Sequence, residues 1–111
     1  MKNDRLYLLH ICECIDKIER YTREGEVAFF KDDKTQDAVI RNLQVLAESS
    51  QRLSSALKEA HQEIEWRKIA GFRNILVHQY LGVNIALIWR IATDHLPDLK
   101  QKLTAVLEGM A

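Results

Sequence analysis

Residues 34–57 read KTQDAVIRNLQVLAESSQRLSSAL, a run without proline or glycine whose apolar positions recur every three or four residues. That spacing places one stripe along a helix of 3.6 residues per turn. The stripe consists of Val39, Leu43, Leu46, Ser50, Leu53 and Leu57. We therefore predict a long helix over residues 34–57, with Asp32 or Asp33 as its N-terminal cap.

The residues before this run predict an antiparallel partner. A first helix over residues 4–23 has one stripe, and Glu24 and Gly25 end it; the stripe is Leu8, Ile11, Ile15 and Ile18. Residues 26–35 form the connection, in which we expect Val27, Phe29 and Phe30 to pack back onto the bundle. Two long helices with a short connection pack naturally as antiparallel neighbours.

The residues after position 57 predict one shorter helix and then a long final helix. Residues 65–77 form the shorter helix, and a turn over 80–84 with a cap at Asn84 leads into a helix that extends to Glu108. Pro97 should kink this last helix. The predicted fold is an all-α, up-and-down bundle of about four to five helices in a single domain, residues 1–111. Leu87, Trp89 and Ile91 widen the apolar surface beyond one stripe, which favours a homodimer.

Composition excludes several classes of protein. The 111 residues carry 16 basic and 16 acidic side chains, so the chain is not a histone-like clamp for nucleic acid. Cys12 and Cys14 lie on different sides of the first helix and cannot pair with each other, which predicts a reduced, cytoplasmic protein. No uncharged run approaches the roughly 20 residues that cross a membrane.

One stretch, Arg73-Asn74-Ile75-Leu76-Val77-His78-Gln79-Tyr80, carries residues suited to chemistry. Arginine offers a permanently charged, planar fork for phosphate, and histidine exchanges a proton near neutral pH. Arg73 and His78 are five residues apart, about 140° around an ideal helix, whereas Asn74 and His78 share a face. Arg73 and His78 can therefore meet only if the helix ends near them, the arginine wraps round, or two copies of the chain combine.

A structural interpretation of the same residues stays open at this point. An arginine and a histidine at one helix end are commonly solvated or engaged in capping. Tyr80 can be a packing aromatic, and Asn74 an exposed polar residue.

The motif in its context resembles the HepT-like branch of the HEPN superfamily. The pattern Arg-Asn-x-x-x-His-x-Tyr lies within residues 69–83, and Ile88-Trp89-Arg90-Ile91-Ala92 and Leu96-Pro97-Asp98-Leu99-Lys100 follow in the family's order. Residues 35–43 and 48–53 are similar to the family's long second helix, so the resemblance covers nearly the whole chain.

This resemblance implies a helical homodimer whose two motifs line a shared cleft. It implies a metal-independent endoribonuclease, the toxin of a toxin–antitoxin pair, with RNA as substrate and no cofactor. Arg73 and His78 would be catalytic, and Asn74 would support them. An MntA-like nucleotidyltransferase antitoxin would neutralise the toxin by transferring AMP to Tyr80. The alternative is a non-catalytic helical dimer that binds a nucleotidyltransferase or presents its substrate.

Other polar residues predict less. His10, His61 and His95 have no partner residues at metal-ligand spacing, so no metal site is expected. The chain has no phosphate-binding glycine loop and should not bind ATP by itself. Arg67 and Lys68 belong to a solvated charged face, with the alternative that they follow an RNA backbone.

Overall fold

The computed structural model describes residues 3–77 and 84–110. In chain order the α-helices are α1 (Asp4–Tyr21), α2 (Glu26–Lys31), α3 (Asp33–Gln51), α4 (Ser55–Ala60), α5 (Trp66–Val77), α6 (Ile85–Arg90) and α7 (Leu96–Glu108). A π-helical turn, Ile91–His95, joins α6 and α7 into one continuous helical stretch. The described residues contain no strand, which confirms the all-α prediction, but they form six separate helices rather than four to five.

Helices α1 and α3 form the centre of the bundle. The predicted stripe residues are buried, none more than 1% exposed on α1 and Val39, Leu43 and Leu46 at 0% on α3. Each leucine or isoleucine buried in this way stabilises the fold by about 1.5–3 kcal/mol. Asp4 at the start of α1 contacts Ser54 just beyond the end of α3, so the two helices are antiparallel, as predicted.

The end of α3 differs from the prediction. The helix ends at Gln51 rather than Leu57, and α4 begins at Ser55. The Ser54 amide and hydroxyl both donate to the Asp4 carboxylate, at 2.9 and 2.6 Å. The Ser54 hydroxyl also accepts from the Leu57 amide at 3.1 Å and so caps α4. A contact with a residue 50 positions away therefore accompanies the break, where no proline or glycine marks it.

The connection between α1 and α3 contains a helix that the sequence did not indicate, α2. Asp32 caps α3 by accepting from the Lys34 and Thr35 amides, which confirms one of the two predicted caps. Phe29 is buried as expected, whereas Val27 and Phe30 remain 69% and 43% exposed. The prediction that all three pack onto the bundle is therefore wrong for two of them.

The last helical stretch absorbs its wide apolar surface within the chain. Ile91 is buried in the π-helical turn, and the Trp89 ring lies 5.2 Å from that of Phe29, centroid to centroid. Leu87 and Trp89 pack against the core but stay partly exposed. Pro97 occupies the first turn of α7, directly after the π-helical turn, and it has no amide hydrogen to donate to a carbonyl of that turn. The kink expected there stays a prediction, as does the homodimer. No helix in the described ranges is long and apolar enough to cross a bilayer.

Candidate ribonuclease site

Helix α5 positions the described part of the motif. Ile69 and Phe72 are 3% and 4% exposed and pack into the core. The Trp66 indole nitrogen donates to the His61 carbonyl at 3.0 Å and fixes the start of the helix. Arg73, one residue after Phe72, consequently lies at the edge of the buried face with its side chain exposed.

A hydrogen bond orients Arg73. Its Nη1 donates to Oε1 of Gln51, the last residue of α3, at 3.0 Å. A guanidinium has five N–H donors, and this bond uses one of them. Within the described residues Arg73 forms no ion pair, so its charge is not neutralised by a carboxylate. The arrangement holds an exposed cation in place through one hydrogen bond.

Gln51 is a residue that the sequence analysis missed. The available signal was the run of polar residues late in the predicted second helix. Most of those residues prove structural: Ser49 and Ser50 are buried, and Asn42 donates to the Ala38 carbonyl at 2.8 Å. Only the geometry separates Gln51, which is exposed and reaches Arg73, from these neighbours.

The remaining motif residues are only partly described. Asn74 is exposed on α5. His78 and Tyr80 lie outside the described residues, so the expected approach of Arg73 to His78 and the place of Tyr80 stay predictions.

A second polar contact lies near the same end of α3 and involves a buried carboxylate, that of Asp4. Asp4 is 3% exposed and accepts from both donors of Ser54. Burial raises the pKa of Asp4, but hydrogen bonds from the Ser54 hydroxyl and amide lower it, and the net pKa lies below the usual value. The carboxylate thus stays charged at neutral pH and fastens the start of α1 to the end of α3.

A pocket elsewhere on α5 has a different character. It is a small cavity of about 60 Å³ between α5 and α7, with Ile69, Phe72 and Leu99 on its apolar side and Lys68, Asp94 and His95 among its polar residues. Neither Arg73 nor Asn74 lines it. In the part of the chain that is described, no group of three or more His, Cys, Asp or Glu side chains is arranged to hold a metal ion.

Comparison with known proteins assigns the chain to a protein family. The model of the family described as Ribonuclease HepT-like matches residues 11–106. The chain belongs to this HepT-like family. The match includes the whole of the motif from Arg73 to Tyr80 and all of α3 and α5.

Curated relatives support the HepT-like assignment along the chain. A protein named probable ribonuclease HepT, from Thermococcus cleftensis, is 41% identical and covers 86% of this chain and 88% of its own length. The mRNA nuclease HepT of Shewanella oneidensis is 26% identical over 86% of this chain and 90% of its own length.

Another relative is longer. A Methanocaldococcus jannaschii protein, whose name joins gamma-glutamylcyclotransferase to a candidate RNase, is 35% identical over 98% of this HepT-like chain. The chain spans 50% of that relative's length. No solved structure matches at a significant level.

Proposed function

We propose that this protein is a metal-independent endoribonuclease that acts in the cytoplasm as the toxin of a toxin–antitoxin pair. The observation that carries the proposal is the HepT-like match over residues 11–106, which contains the complete Arg-Asn-x-x-x-His-x-Tyr motif. The exposed, unneutralised Arg73 guanidinium supports it, because such a group suits a phosphate oxygen.

The chemistry requires three tasks, and RNA supplies its own nucleophile. His78 would remove the proton from a 2′-hydroxyl, whose oxygen then attacks the adjacent phosphorus. The bond from phosphorus to the 5′-oxygen breaks, and that oxygen takes up a proton. The products would be a 2′,3′-cyclic phosphate and a free 5′-hydroxyl.

Arg73 would stabilise the charge on the phosphate oxygens. Preorganised donors act most strongly where charge develops in the transition state. The bond to Gln51 reduces the freedom of the guanidinium before RNA binds, which lowers the cost of orienting it. Asn74, on the next position of α5, would support the site by hydrogen bonding.

We further propose a homodimer with a composite site. On a regular helix Arg73 and His78 point about 140° apart, so one chain does not readily present both to one phosphate. A second copy could supply the histidine that protonates the leaving oxygen.

Regulation would act through Tyr80. An MntA-like nucleotidyltransferase would direct the Tyr80 phenolic oxygen to the α-phosphorus of ATP, with pyrophosphate as leaving group. The attached AMP adds bulk and negative charge where RNA phosphate must bind, and so blocks it by sterics and repulsion.

The test of the activity is cleavage of RNA by purified protein in excess EDTA. Wild type should produce 2′,3′-cyclic phosphate ends, and His78→Ala should not. Expression of wild type without its partner should slow growth, and His78→Ala should relieve this. Equal toxicity of the two proteins would contradict the proposal.

The alternative, a non-catalytic dimer that binds a nucleotidyltransferase, predicts a stable complex with the partner and no RNA cleavage by either protein. Intact mass after coexpression with a nucleotidyltransferase tests the regulation separately. Additions in multiples of one AMP, absent from Tyr80→Phe, are the expected result, and an unchanged wild-type mass would contradict it.

A further inference from the structure

Helix α5 has a face opposite its buried residues, and the motif contributes only Asn74 to that face. Arg67, Gly71 and Asn74 occupy positions i, i+4 and i+7, within about 60° of one another around the axis. Arg67 and Asn74 are exposed and Gly71 is half-buried. We call these three residues the outer face of α5. The buried residues Ile69 and Phe72 lie on the other side of the helix.

The charge on α5 is of one sign. The helix carries Arg67, Lys68 and Arg73 and contains no acidic residue, although the chain as a whole is neutral. All three side chains are exposed. None of them forms an ion pair within the described ranges, whereas the lysines of α7 do. Lys68 lines the pocket beside Asp94 and Asp98, which leaves Arg67 as the cation of the outer face.

No contact among the described residues explains why position 71 is a glycine. Glycine in the interior of a helix destabilises it relative to alanine. Gly71 does not have the positive φ that would call for glycine, and a Cβ atom built on it would meet nothing within 4 Å among the described residues. No described residue fills the room that this glycine leaves, and another molecule can approach the helix backbone there.

The positive charge of α5 favours an RNA backbone over a second copy of the chain as the molecule that approaches Gly71. In a two-fold dimer this face of α5 would meet the same face of a second copy, and each copy would bring cations and no acidic residue of α5 to pair with them. An RNA backbone instead brings one negative charge per nucleotide to Arg67, which forms no ion pair within the described residues, although Glu59 lines the same surface groove. The backbone of α5 at Gly71 then allows a phosphate or ribose to come closer than any side chain would.

We propose that the outer face of α5 binds the RNA backbone on its way to the cleavage site. Arg67 binds a phosphate two helical turns before Asn74, and Gly71 is the point of closest approach. The inference rests on the proposed ribonuclease function, but it concerns binding, so it can be measured without cleavage.

The experiment uses a fluorescein-labelled, 2′-O-methyl RNA of about 20 nucleotides, which covers several binding sites along a groove. This RNA lacks the nucleophilic hydroxyl and cannot be cut by the proposed reaction. Its affinity is measured by anisotropy against salt concentration. Arg67→Gln should weaken binding several-fold and reduce the slope of log Kd against log salt by about 0.7, the value for one lost phosphate contact on a single strand.

Gly71 is tested by substitutions that add side-chain volume without changing the net charge. Gly71→Gln should weaken binding about tenfold or more, because its side chain fills the space for the backbone. Gly71→Ala should raise the melting temperature and weaken binding less. Arg20→Gln is the matched control, since Arg20 is an exposed arginine near the far end of α1 from Asp4, and it should bind like wild type.

Two results would overturn the inference. The first is that Arg67→Gln and Gly71→Gln both bind this RNA like wild type. The second is that Gly71→Gln turns a dimer into a monomer in sedimentation velocity, which would make the face a contact between copies.

Failure of the ribonuclease proposal gives a different pattern. Wild type would then bind the 2′-O-methyl RNA with the expected loss in both variants, yet leave ordinary RNA uncut. Conversely, RNA cleavage that is equal in wild type, Arg67→Gln and Gly71→Gln would retain the ribonuclease and remove the outer face from it.

Discussion

The contact between Ser54 and Asp4 and the contact between Gln51 and Arg73 lie three residues apart at the end of α3, yet they differ in burial. Asp4 is 3% exposed and accepts two hydrogen bonds, whereas Gln51 and Arg73 are both exposed and share one. Breaking the buried contact leaves charged or polar groups without water, while solvent replaces the exposed one. The first contact therefore serves stability, and the second leaves an arginine available for a ligand.

Replacing Arg73 should have a large effect on RNA cleavage and almost none on stability, the clearest difference expected between the two contacts. Arg73→Ala should reduce RNA cleavage by at least about 100-fold, the usual cost of removing a donor that stabilises developing charge. Its free energy of unfolding should change by no more than about 0.5 kcal/mol, as for other exposed sites. Single-turnover cleavage and urea unfolding measure the two quantities. Arg73→Lys, which keeps the charge without the planar fork, should retain only part of the activity.

Replacing Asp4 should give the reverse result. Asp4→Ala leaves the Ser54 amide and hydroxyl without their carboxylate, and should lower the free energy of unfolding by about 1–3 kcal/mol. Urea unfolding measures it. Asp16→Ala is the matched control on the same helix, because Asp16 is exposed and its pair with Lys100 is worth only about 0–1 kcal/mol. Equal losses in the two variants would show that burial does not distinguish the contacts.

Replacing Gln51 should have a smaller effect on activity. Gln51→Ala removes the hydrogen bond that orients Arg73 and should slow cleavage by about fivefold, equivalent to roughly 1 kcal/mol. Gln44→Ala is the control, since Gln44 accepts from Arg41 on the same helix and should leave cleavage unchanged. Gln51→Glu should also slow cleavage, because a carboxylate would neutralise Arg73. Wild-type rates in both Gln51 variants would remove this residue from the site.

The effect of pH on the buried contact should be the smallest. The pKa of Asp4 is lower in the folded chain than in the unfolded one, so its contribution to stability is complete above the unfolded value of about 3.9. That contribution is lost as the pH falls through the folded pKa. The difference in unfolding free energy between wild type and Asp4→Asn should therefore shrink below about pH 4. A difference that is constant with pH would contradict a lowered pKa.

The helices themselves could be predicted because local spacing determines them. The stripe of α1 is buried as expected, and α7 ends at Glu108, where the sequence placed its end. Asn84 caps α6 by accepting from the Leu87 amide, as the turn residues indicated. Each of these features depends on residues within a few positions of one another, so the sequence contains the whole signal.

The breaks and bends could not be predicted in the same way. The run from residue 34 to 57 keeps its hydrophobic period across the end of α3, and only the distant Asp4 accounts for the change at Ser54. The π-helical turn at Ile91–His95 lies just before Pro97, the residue from which the sequence predicted a kink, but the sequence did not indicate a π-helical turn. Ile91, one of the three residues that suggested a dimer, is buried in this turn. For the candidate site, the motif was visible in the sequence, whereas the orienting Gln51 lies 22 residues away from Arg73.

By itself the sequence determined the all-α class, the buried stripes and the motif from Arg73 to Tyr80, since helical periodicity and short motifs are local properties. The tertiary structure decided where α3 ends, which polar residue is buried beside which, and that Arg73 lies exposed against Gln51. These outcomes depend on contacts between residues 22 and 50 positions apart. Such contacts exist only once α1, α3 and α5 have packed against one another, because residues so far apart in the chain meet only in the folded bundle.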